Sequence, residues 1–393
     1  MKTILERELS QLDKEKRLCH ASTLTMRQLE HLICENLGET WTVTDWRIEE
    51  PSEKGVFSFL VRVHLTWDAW PSETHHLPAS VIIKFPTAQR IKLTTDMDAF
   101  IHATHNNETA VYELFLQNNA GPESYLRTIP CPLPYVYGCK TWSGVTAVRV
   151  GNEAAYIVME DMTDNATNYG MVAAEQMTRG QMEQTLSALA RLHAWSLAQN
   201  LSTITDFSTV ESHWHNILAT AYQAFKHYVL TQARLGNIPD RLCERVGDVQ
   251  TTGHEYTLMT QLNRQFAVPD CLVHGDVSGS NVMFEMDQHA QPSGDVRALL
   301  DWQLSHRGNQ MTDVACLFFF SGTKRSHFES LISVYYRAFS EQLEKHGEIQ
   351  VRNFNKINDS MIETTERALT DLYDLIDDPK SGAVIKRIIN NSR

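Results

Sequence analysis

The sequence has no long apolar run, no paired cysteines and no excess of positive charge. No run reaches the roughly 18 residues that a bilayer span requires. The opening stretch, MKTILERELSQLDKEKR, is charged throughout and has no apolar segment of the secretory kind. The seven cysteines, Cys19, Cys34, Cys131, Cys139, Cys243, Cys271 and Cys316, are odd in number and none stands in a C-x-x-C pair. That pattern argues against a disulfide framework or zinc ribbon, and reduced thiols are expected. Lys plus Arg number 35 against 48 Asp plus Glu, a formal net charge of −13, the opposite of the basic face a nucleic-acid binder presents. The expectation is a soluble, cytoplasmic protein whose partners are neither membranes nor nucleic acids.

What is present is a core. With 393 residues and a hydrophobic fraction of 42%, the chain exceeds one ordinary domain and can bury a sizeable interior. VFSFLVRVHLTW alternates, with Phe57, Phe59, Val61, Val63, Leu65 and Trp67 on one face, which predicts a half-buried strand. DWRIEE is its expected partner across the turn-rich PSEKG. SVIIKF and AAYIVMEDM read as further strands, and NNETAVYELFLQ as a helix with Val111, Leu114 and Phe115 on one face. Beyond TDNATNYG the pattern turns helical, over TRGQMEQTLSALARLHAWSLAQ, 211–235, 240–266 and from about 326 to 393. CLVHGDVSGSNVMFE and VRALLDWQLSH interrupt it as short apolar runs, each broken by an aspartate, and MDQHAQPSGD between them is hairpin-loop material. The boundary between sheet-rich and helical parts falls near 161–170, giving parts of 1–162 and 163–393.

The aspartates give the second part its chemistry. Asp276 follows the first apolar run, Asn281 closes the loop after it, and Asp301 ends the second run. A hairpin would bring these oxygen-bearing side chains together, and oxygen ligands are what Mg²⁺ takes. A carboxylate left free of the metal can accept a hydroxyl proton. Lys84, a single cation in an apolar strand, suits phosphate oxygens, and Glu108 on the following helix could hold it. These are the parts phosphoryl transfer needs. Two plainer readings compete: Lys84 as an edge-strand lysine, and Glu113 rather than Glu108 as the helix acid. His193 and Trp302 read as packing residues, with an aromatic cage as the alternative use of Trp302.

His274-Gly275-Asp276-x-x-x-x-Asn281 followed by LLDWQLSHRGNQMTDVA, together with LARLHAWSL and VMEDM, resembles the aminoglycoside phosphotransferase and choline kinase superfamily, and within it the CHK-type, ecdysteroid-kinase-like group. The resemblance is specific over about 271–320. It implies an α+β, bilobal protein-kinase-like fold, with a small antiparallel-sheet lobe for ATP and a larger, mostly helical lobe for the acceptor. It implies Asp276 as catalytic base, Asn281 and Asp301 as Mg²⁺ ligands, and Lys84 with Glu108 on the ATP phosphates. Met159 would stand at the gatekeeper position, Glu160 to Met162 would form the adenine-facing hinge, and His274 and Asp313 would brace the catalytic loop.

The implied activity is an ATP- and Mg²⁺-dependent kinase acting on a hydroxyl of a sterol-like alcohol, glycoside, amino alcohol or xenobiotic. The sequence departs from the kinase pattern in several places. EEPSEKGVFSF carries one glycine where a Gly-rich phosphate loop would stand, which leaves Ser58 as the candidate there and a nucleotide-binding pseudokinase as the alternative. No Arg precedes Asp276 and no A-P-E follows Asp301, features that disfavour a protein kinase.

Overall fold

A computed structural model describes residues 14–15, 17–18, 23–49, 58–68, 77–86, 95–117, 129–142, 155–163, 166–168, 177–197, 199–205, 269–289, 291–321, 323 and 325–345. The helices expected over 211–235 and 240–266, and the stretch beyond 345, lie outside these residues. The chain divides into two compact units. One comprises Met1–Thr167, Glu285–Pro292 and Arg297–Gln303; the other comprises Asn168–Phe284, Ser293–Val296 and Leu304–Arg393.

In the first unit, alternation of apolar and polar side chains becomes an antiparallel sheet. Helix α1 (Met26–Leu37) starts at a capping box in which Thr25 and Gln28 satisfy each other's backbone N–H groups. Strands β1 (Val43–Glu49), β2 (Ser58–Trp67) and β3 (Ser80–Pro86) follow, then helix α2 (Thr95–Gln117) and strands β4 (Val136–Lys140) and β5 (Tyr156–Glu160). The sheet order is β1-β2-β3-β5-β4, antiparallel at every step. Val61, Val63 and Leu65 of β2 point inward, as their spacing predicts. They join Val81, Ile83 and Phe85 of β3, Val158 of β5, and Leu29 and Ile33 of α1 in one core. Each such side chain is worth about 1.5–3 kcal/mol when fully buried.

The middle strand of this sheet is β3, so the edge-strand reading of Lys84 does not hold. Helix α2 begins at Thr95, well before the expected Asn106, because Phe100 and Ile101 extend the buried face of Val111 and Phe115 by further turns. Strand β4 was not expected at all. A bulge between Val136 and Gly138 breaks its alternation, and a side chain at 138 would stand 2.5 Å from Leu32 Cδ1 of α1.

In the second unit, helix α3 (Arg179–Ser196) opens at a second capping box, Thr178 with Gln181. It packs along helix α5 (Phe328–Lys345). Leu186, Leu189 and His193 on α3 are sealed from solvent, as are Leu331, Tyr335 and Phe339 on α5. The two apolar runs broken by aspartates are nested, not a single hairpin. Strand β7 (Cys271–Val273) pairs antiparallel with β10 (His306–Gly308), Val273 opposite His306. Between them in sequence come β8 (Val282–Met286) and β9 (Pro292–Leu299), whose residues are divided between the two units, in a sheet whose third strand is β6 (Ala166–Asn168). Helix α4 (Met311–Phe320) follows β10. No described helix is long and apolar enough to cross a membrane.

Candidate active site

The first unit holds a buried cation between two carboxylates. Lys84 on β3 donates to Asp301 Oδ1 at 2.7 Å, and its Nζ lies 2.7 Å from Glu108 Oε2 on α2. Glu113, the competing acid, faces solvent. The Lys84 and Glu108 side chains are almost fully buried, whereas Asp301 is 37% exposed. Burial by itself would lower the Lys84 pKa, but the charges of Asp301 and Glu108 raise it above the usual lysine value. Burial also pushes the Glu108 carboxyl up to about 7, with Lys84 opposing and the negative charge of Asp301 assisting. The ammonium therefore stays charged, and Asp301 supplies its counter-charge whenever Glu108 is protonated. Neither Glu108 oxygen accepts a hydrogen bond of regular geometry. Its approach to Lys84 is an ion pair, and the Trp302 backbone N–H acts on it as a favourable dipole.

The backbone at Asp301 has a φ of 65°, and no other described non-glycine residue has a positive value. This left-handed conformation costs about 1–2 kcal/mol for an ordinary L-residue, less for Asp. It follows the end of β9 at Leu299 and precedes Trp302, whose indole donates to the Leu299 carbonyl at 3.1 Å and packs edge-on against Phe115 of α2.

At the far end of β5, Met159 is buried opposite Ile82 of β3. The Glu160 N–H donates to the Tyr135 carbonyl at 2.8 Å, and its side chain accepts from the Tyr135 N–H at 2.9 Å and pairs with Arg297 at 2.5 Å. That N–H is committed, so a backbone donor for a ligand must come from beyond Glu160. Met162 is buried. Asp161, which the sequence reading assigned no partner, accepts from Arg62 of β2 at 2.7 Å, Ser80 of β3 at 2.8 Å and Thr163 at 2.7 Å. Burial works against its ionisation, yet these donors hold its carboxyl below the usual range. Ser58 opens β2 opposite Pro86 and is buried; residues 50–57 before it lie outside the described set.

In the second unit the loop from His274 to Asn281 is held from below. Asp313 of α4 accepts the N–H of His274 at 2.7 Å and of Gly275 at 2.8 Å. The imidazole of His193 lies 3.0 Å from the same carboxylate and 2.8 Å from the Tyr335 hydroxyl. Burial alone would raise the Asp313 pKa, but the hydrogen bonds it accepts from His193 and from the His274 backbone lower it. Burial keeps the Tyr335 hydroxyl protonated, so Tyr335 donates to His193 Nδ1 and Nε2 donates to Asp313. Gly275 has a φ of 85°, and a Cβ there would stand 2.3 Å from the Leu304 carbonyl oxygen, so no other residue fits. Asn281 Nδ2 donates to the Asp276 carbonyl at 2.8 Å and to its carboxylate Oδ2 at 3.1 Å. The carboxamide oxygen is thereby left as the end of Asn281 that can meet a cation.

A family model, DUF1679, described as "Uncharacterized oxidoreductase dhs-27", matches residues 22–361. A search of curated protein sequences finds no match. Similar solved structures include choline kinase LicA from Streptococcus pneumoniae, at 14% identity over 93% of this chain and 97% of that one, with a TM-score of 0.39. A GDP complex of an aminoglycoside 2'-phosphotransferase-IIIa mutant is 11% identical over 87% of this chain and 97% of that one, with a TM-score of 0.41. Aminoglycoside phosphotransferase APH(3'')-Id from Streptomyces rimosus, in complex with ADP and streptomycin, is 14% identical over 81% and 95%, with a TM-score of 0.37. At such TM-scores the likeness carries no argument of its own.

Proposed function

The chain belongs to the DUF1679 family, described as "Uncharacterized oxidoreductase dhs-27", and we propose that it is an ATP- and Mg²⁺-dependent kinase of the CHK-type, ecdysteroid-kinase-like group that phosphorylates a small-molecule hydroxyl. One observation carries the reading: a lysine buried on the middle strand of a sheet, ion-paired to a helix glutamate and bonded to an aspartate. A fixed cation of this kind suits phosphate oxygens. The oxidoreductase of the family description has less support, since the sequence contains no Gly-x-Gly pair, the element that seats a dinucleotide on a Rossmann turn.

The residues take these parts. Lys84 neutralises ATP phosphate oxygens, with Glu108 holding its side chain in place. Asn281, its amide fixed on Asp276, and Asp301, whose Oδ1 is held by Lys84, are assigned to the metal. Bound Mg²⁺ would supply Lewis-acid neutralisation of the phosphates. Asp276 accepts the acceptor's hydroxyl proton as that oxygen bonds to the γ-phosphorus, and the bond from γ-phosphorus to the ADP oxygen breaks. Met159 and the segment from Glu160 to Met162 are assigned to the adenine, and Ser58 to the phosphates. Five cysteines are free thiols among the described residues, which suits the reducing cytoplasm.

The test is a screen for ATP consumption over a metabolite extract of sterol-like, glycosidic and amino-alcohol compounds, with mass spectrometry reading the gain of one phosphate. A phosphorylated product is expected. Stabilisation by Mg–ATP with no product from any extract would point to the pseudokinase, and stabilisation by NAD(H) in place of ATP would support the oxidoreductase.

A further inference from the structure

Three successive residues on α2 reach three different partners, as the 100° step of a helix requires. Asn106 exchanges two hydrogen bonds with the backbone of Trp142, and Glu108 meets Lys84. Between them, the Asn107 carboxamide donates to the Gln303 carbonyl at 3.2 Å, with both side chains nearly sealed from solvent. The side chain next to Glu108 on α2 therefore reads the C=O of the second residue after Asp301. Phe115, two turns on, packs against the Trp302 ring. The backbone they fix leaves Asp301 in its left-handed conformation with its carboxylate on Lys84.

We infer that Asn107 is a positioning residue for the metal-assigned aspartate: its carboxamide locks the turn after Asp301 to α2, so that the Asp301 carboxylate is presented in one orientation. The inference rests on the kinase reading for its functional consequence but not for its structural one. A buried carbonyl that loses its donor leaves a polar group to be satisfied elsewhere, and the turn that relaxes to do so is the one that sets the φ of Asp301. No sequence period marks this residue, because its partner is a backbone oxygen nearly two hundred positions away.

The experiment has two arms on the full chain. In the first, amide exchange of a peptide covering Trp302 and Gln303 is measured without nucleotide in wild type, Asn107→Leu and Asn107→Asp. Asn107→Leu, close in volume, should exchange at least about tenfold faster there while peptides from α1 and α5 stay unchanged. In Asn107→Asp, burial beside Glu108 raises the new carboxyl's pKa, and the protonated acid can still donate to Gln303. Relative to wild type at each pH, its exchange should be near normal at pH 6 and faster at pH 8. Wild-type exchange in both variants at both pH values overturns the inference. In the second arm, the extra thermal shift that Mg²⁺ adds to ATP is compared. It should shrink in Asn107→Leu while the shift with ATP alone persists; an undiminished Mg²⁺ increment overturns the inference. Absence of any Mg²⁺ increment in wild type would instead count against the kinase reading, and the exchange arm would still decide the role of Asn107 in holding the turn.

Discussion

The Asp313 carboxylate and the His193 imidazole lie 3.0 Å apart, Oδ2 to Nε2, with both side chains sealed from solvent. The same carboxylate holds the backbone of His274 and Gly275, so a buried pair between two helices also fixes the start of the loop that carries Asp276. Removing one partner of such a pair leaves the other uncompensated. Asp313→Ala should therefore cost about 3–5 kcal/mol in stability, read as a drop in the denaturation midpoint. The pH dependence follows from the sign of the shift. The folded pKa of Asp313 lies below its unfolded value, which is about 3.9. Its contribution is complete above that unfolded value and is lost as pH falls through the lower folded one. Asp313→Asn should flatten the acid limb of the stability curve, and an unchanged limb would mean that other carboxylates dominate it.

Gly275 tests the same loop from its backbone. Its φ of 85° and the 2.3 Å approach of an added Cβ to the Leu304 carbonyl leave no room for alanine. Because the obstacle is backbone, the loop itself must move. Gly275→Ala should lower stability by about 2–4 kcal/mol through combined strain and overpacking and abolish turnover on any acceptor that the screen identifies. Full turnover in this variant would show that the loop's position is not what sets Asp276.

Lys84 and Glu108 should behave as one element. Lys84→Met removes the cation, and Glu108→Gln keeps the shape but removes the charge. In a double-mutant cycle on the thermal shift by ATP, the two losses should be non-additive, with a coupling of about 1–3 kcal/mol. Additive losses would separate the two side chains functionally, whatever their 2.7 Å approach.

Much of this was legible from sequence, for physical reasons. The single cation of SVIIKF points to a buried lysine because a strand that apolar is covered on both faces, and a charge on the face opposite Val81, Ile83 and Phe85 demands a partner. The spacing from Asp276 to Asn281 is short enough that one loop holds both. The α+β class follows from the same periodicities. Other features have no period to read. Asp313 is marked by the family resemblance and by no period, Asn107 acts on a backbone group far away in sequence, and the left-handed turn at Asp301 depends on what packs around it. Strand β4 escaped because its bulge and Gly138 break the alternation. The nesting of β7 with β10 around β8 and β9 escaped because runs of three to five residues do not announce their partners.

Asp276 separates chemistry from binding. Its carboxylate is assigned the acceptor's proton, and Asn281 reaches it through the amide nitrogen. Asp276→Asn keeps the side chain's volume but removes the base. Turnover should fall roughly 10²- to 10⁴-fold, with the thermal shift by Mg–ATP retained. Turnover near the wild-type rate would reassign the base.

Asp301 tests the metal assignment. Lys84 holds Oδ1 at 2.7 Å, and Oδ2 has no hydrogen-bond partner among the described residues. One oxygen is thus committed to the cation of the first unit and the other is available to an ion. Mg²⁺ takes oxygen ligands in near-octahedral geometry and keeps several waters, so a single carboxylate oxygen binds it weakly until nucleotide phosphates add theirs. The metal should bind as Mg–ATP, and the ATP-induced rise in stability should be larger with Mg²⁺ than without. At a hundredfold excess over Kd that stabilisation is about 2.7 kcal/mol. Asp301→Asn removes the charge and weakens the bond to Lys84, so the Mg²⁺ increment should vanish. Asn281→Ala removes a dipole, not a charge, and should reduce the increment without abolishing it. The comparison is made by thermal shift with ATP, with and without Mg²⁺, in all three proteins. If the increment in Asp301→Asn equals that of wild type, Asp301 does not hold the metal and serves only as the counter-ion of Lys84.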